Sequence, residues 1–388
     1  MSNTSMQTIL AAHLESYRQH HTLTPEQART CHRIGICRTA ALGGEEVRCT
    51  TCDFEQQRYH SCRNRHCPQC QRQASQAWCE ARTAQLLPVH YFHLVFTLPH
   101  ALNPWATLHP EVIYRLLFQS AWSTLKAFAQ DPKRLDGELG MVAILHTWGQ
   151  NLSRHIHLHC LVPGGAWSEE KQEWRSATSN YLFPVKALSR KFRGAMVSAL
   201  RYSEQCGELK RIQDKRQFDQ TLDQLMQTQW VVYTKANIQK PETIVAYLAR
   251  YTHKIAISDH RLIDSDEEHV RFRYKDYRDH DKYKVMQLES NEFIRRFLQH
   301  VLPDGFMRIR HYGFLANRCR RQRLEEIGHA LTTQVDDDPA TPGMDKTIEK
   351  NIAPTIPSTC PCPKCKQGRL IVIITLPPQR RSEVAMHH

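Results

Sequence analysis

The 388-residue chain has no apolar stretch near the roughly 20 residues that a membrane-crossing helix needs; its longest, such as Leu370–Ile374, are far shorter. Membrane insertion is thereby excluded. The opening residues, Met1-Ser-Asn-Thr-Ser5, contain neither a basic n-region nor an apolar h-region, so no secretory leader is expected and a cytoplasmic location is. Acidic residues are the scarcer charge, with 39 Asp and Glu against 52 Lys and Arg, a formal surplus of +13. Such a surplus suits a polyanionic partner, most simply nucleic acid. No internal repeat is visible beyond pairs of cysteines near the two ends. The 41% hydrophobic content provides for a real core and excludes wholesale disorder.

Cysteine is plentiful: eight of the 14 lie between Cys31 and Cys79. With nothing pointing to export, spacing favours metal over a disulfide framework. Cys49-x2-Cys52 and Cys67-x2-Cys70 form two knuckles fit to offer four thiolates to one tetrahedral zinc. Cys37, His60, Cys62 and His66 interleave with them and are candidates for a second site, or for packing. Arg63 and Arg65, on the loop between the knuckles, present donors suited to phosphates or base edges. The tail Cys360-Pro-Cys362-Pro-Lys-Cys365 offers three thiolates with no evident fourth.

Helical spacing covers Thr8–Arg18, and Pro25 opens a second helix. The alternation of Phe92, Leu94, Phe96 and Leu98 predicts a half-buried strand. Amphipathic helix follows over Trp105–Phe128, then strands over Met141–Trp148 and His155–Val162, the second stopped by Pro163-Gly-Gly165. A helix is expected over Ala187–Glu204, a short strand over Trp230–Thr234, and a helix from Pro241 to about Lys254. Ile257–Ile263 and Val270–Tyr274 suit a hairpin, and Asn291–Val301 a short helix. Six arginines against one aspartate between His300 and Arg323 mark a backbone-contacting patch, with Arg308, Arg310, Arg318 and Arg320 as candidate DNA-binding residues. Residues 332–359, rich in Pro, Asp and Thr, predict a flexible linker. The organisation expected is a zinc-binding, DNA-recognising module over 1–82, a catalytic domain over 88–325, that linker, and a short cysteine-containing tail over 360–388. Irregular alternation of helices and strands with hairpin signals favours an α+β fold around a mainly antiparallel sheet.

The segment most informative about chemistry is His155-Ile-His157-Leu-His159. Alternation along a strand puts its three imidazoles on one face and Ile156, Leu158 and Cys160 on the other. Imidazoles in a row are costly as core and natural as ligands for a divalent metal. Tyr247 and Tyr251, four apart on the expected Pro241 helix, share a face. A phenol with an ordinary pKa of about 10 is a poor nucleophile at neutral pH, and a cation polarising a scissile phosphate offsets that. The two elements are therefore complementary parts of a phosphodiester-cleaving machine.

His157-Leu-His159 resembles the HUH motif, and Tyr247 with Tyr251 resembles the paired nucleophiles of two-tyrosine HUH transposases. With Cys37–Gly44, His60–Cys70 and Tyr247–Ser258, the likeness is to transposases of bacterial rolling-circle insertion sequences of the IS91 type, in matching order over roughly residues 30–320. That resemblance implies a zinc-binding N-terminal module and an HUH-endonuclease-like domain whose central antiparallel sheet is flanked by helices. It also implies Mg²⁺ or Mn²⁺ at His157 and His159, and single-stranded and transposon-end DNA as partners. Tyr247 and Tyr251 would each cleave or rejoin a strand through 5′-phosphotyrosine links. The third ligand is either His146 or His155, with Gln150 and Asn151 as weaker candidates. The alternatives are a plasmid rolling-circle replication initiator or relaxase, a non-catalytic zinc-ribbon DNA-binding protein, and a zinc hydrolase using His155, His157 and His159.

Overall fold

The computed structural model describes residues 4–70, 80, 83, 85–177, 182–238, 256–276, 279–336 and 361–379. Two helices open it, Met6–His20 and Pro25–Gly35, each started by a capping box in which Ser5 or Thr24 accepts from the backbone three residues on. Pro25 occupies the first turn, where a missing N–H costs nothing. The chain then forms a small hairpin, β1 (Gly44–Cys49) and β2 (Glu55–Tyr59).

The following strands are β3 (Tyr91–Thr97), β4 (Gly140–Trp148), β5 (Arg154–Pro163), the hairpin β6 (Gly165–Ser168) and β7 (Glu173–Ser176), and β8 (Val232–Ile238). After them come β9 (Leu262–Ser265), β10 (His269–Asp276), β11 (Lys282–Glu289), β12 (Ile309–Gly313) and β13 (Leu370–Leu376). Five of these build the central sheet in the order β12-β4-β5-β3-β8, with every neighbouring pair antiparallel. Alternation gives the sheet two unlike faces. Leu94 and Phe96, Met141, Ala143 and Leu145, and Ile156, Leu158 and Cys160 are buried in one core with residues of the helices Pro110–Ala129 and Val185–Gln205. The other face carries the histidines. This is the expected α+β architecture, an antiparallel sheet with helices packed on it.

A second core joins the N-terminal helices to the far end of the chain. Met6, Ile9, Tyr17 and Ile34 are buried with Leu152, Ile257, Phe272, Phe293 and Phe297, so β9–β11 and the helix Ser290–Leu298 pack on the first two helices. Polar ties reinforce this: Met6 N donates to Asp259 Oδ1 at 3.0 Å, and Gln27 Nε2 to the Leu298 carbonyl at 3.1 Å.

Two expectations for the C-terminal part are corrected. The helix Arg320–Asp336 runs into the range expected as linker, because Leu324, Ile327 and Leu331 pack against Trp174 and Phe314. The tail is not a separate piece: β13 completes a three-stranded sheet, β13-β1-β2, because its backbone pairs with the open edge of β1 and Leu370 is buried against Val47. Tyr247 and Tyr251, and the rest of the expected Pro241 helix, lie outside the described residues, as do Cys79 and Cys360.

Candidate active site and metal centres

His146 on β4 and His157 on β5 are direct cross-strand partners, and His159 follows two residues along the same face. One ligand nitrogen from each lies within 4.8 Å of the others. The ring centroids are 5.2 Å (His146–His157), 4.5 Å (His146–His159) and 4.8 Å (His157–His159) apart. His155 is outside this group: it sits one step nearer the β4–β5 turn, with its ring 5.7 Å from His100. Of the two candidates for third position, the fold therefore brings His146 to the pair. Asn151 is occupied within the turn, its Oδ1 accepting from Ser153 N at 3.1 Å and Ser153 Oγ at 2.6 Å.

The surroundings prepare these rings as ligands. Burial pushes the His157 imidazole down to about 3 and His159 well below its ordinary range, so both are neutral at neutral pH and carry a lone pair. His157 Nδ1 lies 2.8 Å from the His155 carbonyl, which can only accept, so Nδ1 holds the proton and Nε2 the lone pair. His159 Nδ1 faces His93 Nε2 at 2.9 Å, the two rings stacking at 5.1 Å and 14°. A proton donated from His159 Nδ1 to His93 likewise leaves the lone pair on Nε2. His146 stacks on Trp148 at 4.3 Å. His93, on β3 and 2% exposed, went unassigned in the sequence reading, although its parity places it on the histidine face.

Three neutral imidazoles can hold a divalent cation and leave further positions open; the set binds borderline ions such as zinc most readily, whereas Mn²⁺ and still more Mg²⁺ would draw the rest of their shell from water and phosphate oxygens.

The cysteines sort differently from the expected pairing of Cys49 and Cys52 with Cys67 and Cys70. Cys37, Cys62, Cys67 and Cys70 form one cluster, and Cys49, Cys52, Cys362 and Cys365 another. In the first, Cys70 Sγ is 3.5 Å from Cys37 Sγ and 3.6 Å from Cys62 Sγ. The reason is strand geometry: the β1–β2 hairpin carries Cys49 and Cys52 away from the second knuckle. No described cysteine is in a disulfide. His60 is exposed and outside both clusters. His66 is buried, its Nε2 accepting from Leu302 N at 3.2 Å, so it joins the module to the C-terminal core.

The arginines divide likewise. Arg65 donates to the carbonyls of Phe306 at 2.6 Å and Pro303 at 2.8 Å, and Arg308 is buried with its pKa lowered to about 9 by desolvation. Arg308 is thus enclosed by the fold, whereas Arg65 ties the module to the Pro303–Phe306 turn while remaining exposed. Arg63 and Arg318 are exposed. Arg310 lies over the rings of Phe118 and Phe306 at 4.3 and 5.1 Å, and Arg320 donates to Asn317 Oδ1 at 3.1 Å.

A histidine triad on an antiparallel sheet, joined to two cysteine clusters in a basic chain, gives three groups able to hold metal in a protein whose charge suits a polyanion. The comparisons make this specific. A family model described as "Transposase zinc-binding domain" matches residues 9–98, and one described as "Putative transposase" matches residues 140–323. The chain is 42% identical over 377 residues to "Putative transposase y4qJ" of Sinorhizobium fredii, covering 94% of this chain and 95% of that protein. It is 28% identical over 328 residues to the "Transposase for insertion sequence element IS801" of Pseudomonas savastanoi pv. phaseolicola, covering 82% and 75%. No solved structure matches. The chain belongs to the IS91-type transposases, enzymes that act on DNA, with a structural zinc-binding domain in its N-terminal part. Among the described residues, no helix is long and apolar enough to cross a membrane.

Proposed function

We propose that this transposase works by the two-tyrosine HUH reaction on single-stranded DNA taken from transposon ends. His146, His157 and His159 hold Mn²⁺ or Mg²⁺, and Tyr247 and Tyr251 are the nucleophiles. The bound cation supplies Lewis-acid polarisation of the scissile phosphate. The phenol oxygen of one tyrosine attacks phosphorus, the bond to the 3′ oxygen breaks, the phenol proton is lost and the leaving oxygen takes one up. The products are a 5′-phosphotyrosine link and a free 3′-hydroxyl. The second tyrosine allows another cleavage while the first end is held, as rolling-circle transposition requires.

The observation that carries this reading is the convergence of three neutral imidazoles from adjacent strands on the sheet face opposite the helices Pro110–Ala129 and Val185–Gln205. Ile257, just after the tyrosine-bearing segment, is buried with Leu152, in the turn joining the two histidine strands, which supports the reading.

The test is to incubate the protein with labelled single-stranded DNA from the flanks of its own gene plus Mn²⁺ or Mg²⁺, then seek a denaturation-resistant adduct. The adduct is expected with the wild type and lost in Tyr247→Phe/Tyr251→Phe, with DNA binding kept. Cleavage without a protein–DNA link, or an adduct persisting in the double variant, would refute the assignment.

A further inference from the structure

We propose that Cys49, Cys52, Cys362 and Cys365 hold a second zinc ion, one that clasps the end of the chain to its N-terminal module. The four sulfurs lie within 4.8 Å of one another, with Cys49–Cys365 and Cys52–Cys362 both at 3.7 Å. Tetrahedral zinc with bonds of about 2.3 Å puts its sulfurs about 3.8 Å apart. Backbone N–H groups point at two of them: Thr51 N donates to Cys49 Sγ and Gly368 N to Cys365 Sγ, each at 3.3 Å. Such donors favour the thiolate form that zinc requires. A side chain at position 368 would put a carbon 2.4 Å from Cys49 Sγ, so the second knuckle closes over the first only because glycine stands there.

The framework around the sulfurs is continuous. β13 pairs with β1 from Cys49↔Leu370 to Gly44↔Leu376. Thr50 N donates to the Arg369 carbonyl at 2.9 Å, Arg369 N to Thr50 Oγ1 at 3.1 Å, and Lys364 pairs with Asp53 at 2.6 Å. The tail residues 361–379 lie outside both spans matched by the family models.

The two zinc sites differ in what stands behind them. Cys37, Cys62 and Cys67 share a core with Ile9, Phe293 and Phe297. The clasp has a core of its own, formed by Val47, Cys49, Cys362 and Leu370 with Cys52, Phe54 and Cys365 at its margin. An apolar nucleus that small cannot hold a fold alone, so the ion supplies the missing stability. Zinc replaces the four thiol protons, which leave to solvent.

The full chain is alkylated with and without chelator, and the modified cysteines are read by mass spectrometry. Cys49, Cys52, Cys362 and Cys365 should be protected together and become reactive together once the metal is removed. In Cys362→Ser/Cys365→Ser, bound zinc should fall by one ion per chain, and the thiolate-to-metal absorption of the cobalt-substituted protein by half. The proposal is overturned if Cys362 and Cys365 react as free thiols in the zinc-loaded wild type while Cys49 and Cys52 stay protected. Undiminished zinc in the variant would overturn it as well. If the variant does not fold, the wild-type alkylation pattern decides alone.

Discussion

His300 is 1% exposed, its Nδ1 3.1 Å from Thr147 Oγ1 and its Nε2 3.1 Å from the Leu152 carbonyl. Burial pushes its pKa down to about 3, and that of buried His66 to the same level. In the unfolded chain both bind a proton below about pH 6.5. The sign follows from where each proton is held: the unfolded state takes it up first, so stability is full above pH 6.5 and declines as pH falls towards 3. At pH 5.5, one unit below the unfolded value, each ring costs about 1.4 kcal/mol, together about 3 kcal/mol. Urea unfolding of the zinc-saturated protein at pH 7.5 and 5.5 measures this. The wild type should lose at least that amount, since His93 and His157, lowered to about 4 and about 3, titrate in the same direction. His300→Gln should be weaker at both pH values yet lose about 1.4 kcal/mol less between them. An identical loss in variant and wild type would show that His300 is not held neutral by the fold.

Replacing His93 by Ala should weaken Mn²⁺ binding by about 10–100-fold by freeing the His159 ring, with partial recovery in His93→Asn; titration calorimetry reads both, and unchanged affinity would remove His93 from the site. Arg65→Ala removes two charge-assisted bonds between the zinc module and the Pro303–Phe306 turn. With one of the two bonds solvent-exposed, about 1–3 kcal/mol in all is expected, read as a lower thermal unfolding midpoint; an unchanged midpoint would show that these bonds add nothing to stability.

The central sheet was legible because its strands alternate: Phe92, Leu94 and Phe96 announce one face, and His155, His157 and His159 the other. The helices Pro25–Gly35 and Val185–Gln205 declared themselves through a first-turn proline and a regular apolar stripe. What escaped was set by contacts distant in sequence. The Cys49 and Cys52 knuckle looked like the natural partner of Cys67 and Cys70 because they are close along the chain, yet the cysteines beside it come from more than 300 residues away, joined by strand pairing that no local pattern encodes. Arg308 looked like a solvent-facing donor because composition cannot reveal that packing encloses it. β12 was hidden inside a run read only for its charge. His93 could have been found, since it lies in a strand whose alternation was already recognised.

The shared burial of Cys37, Cys62 and Cys67 with Phe293 and Phe297 bears on how such proteins diversify. A recombination that grafted a foreign N-terminal module onto this catalytic sheet would bring in half of a hydrophobic interior whose other half had been shaped by different side chains. The module and its seat therefore behave as one folding unit, so exchanging either alone should cost stability, whereas substitution at a solvent-facing position such as Arg63 should not.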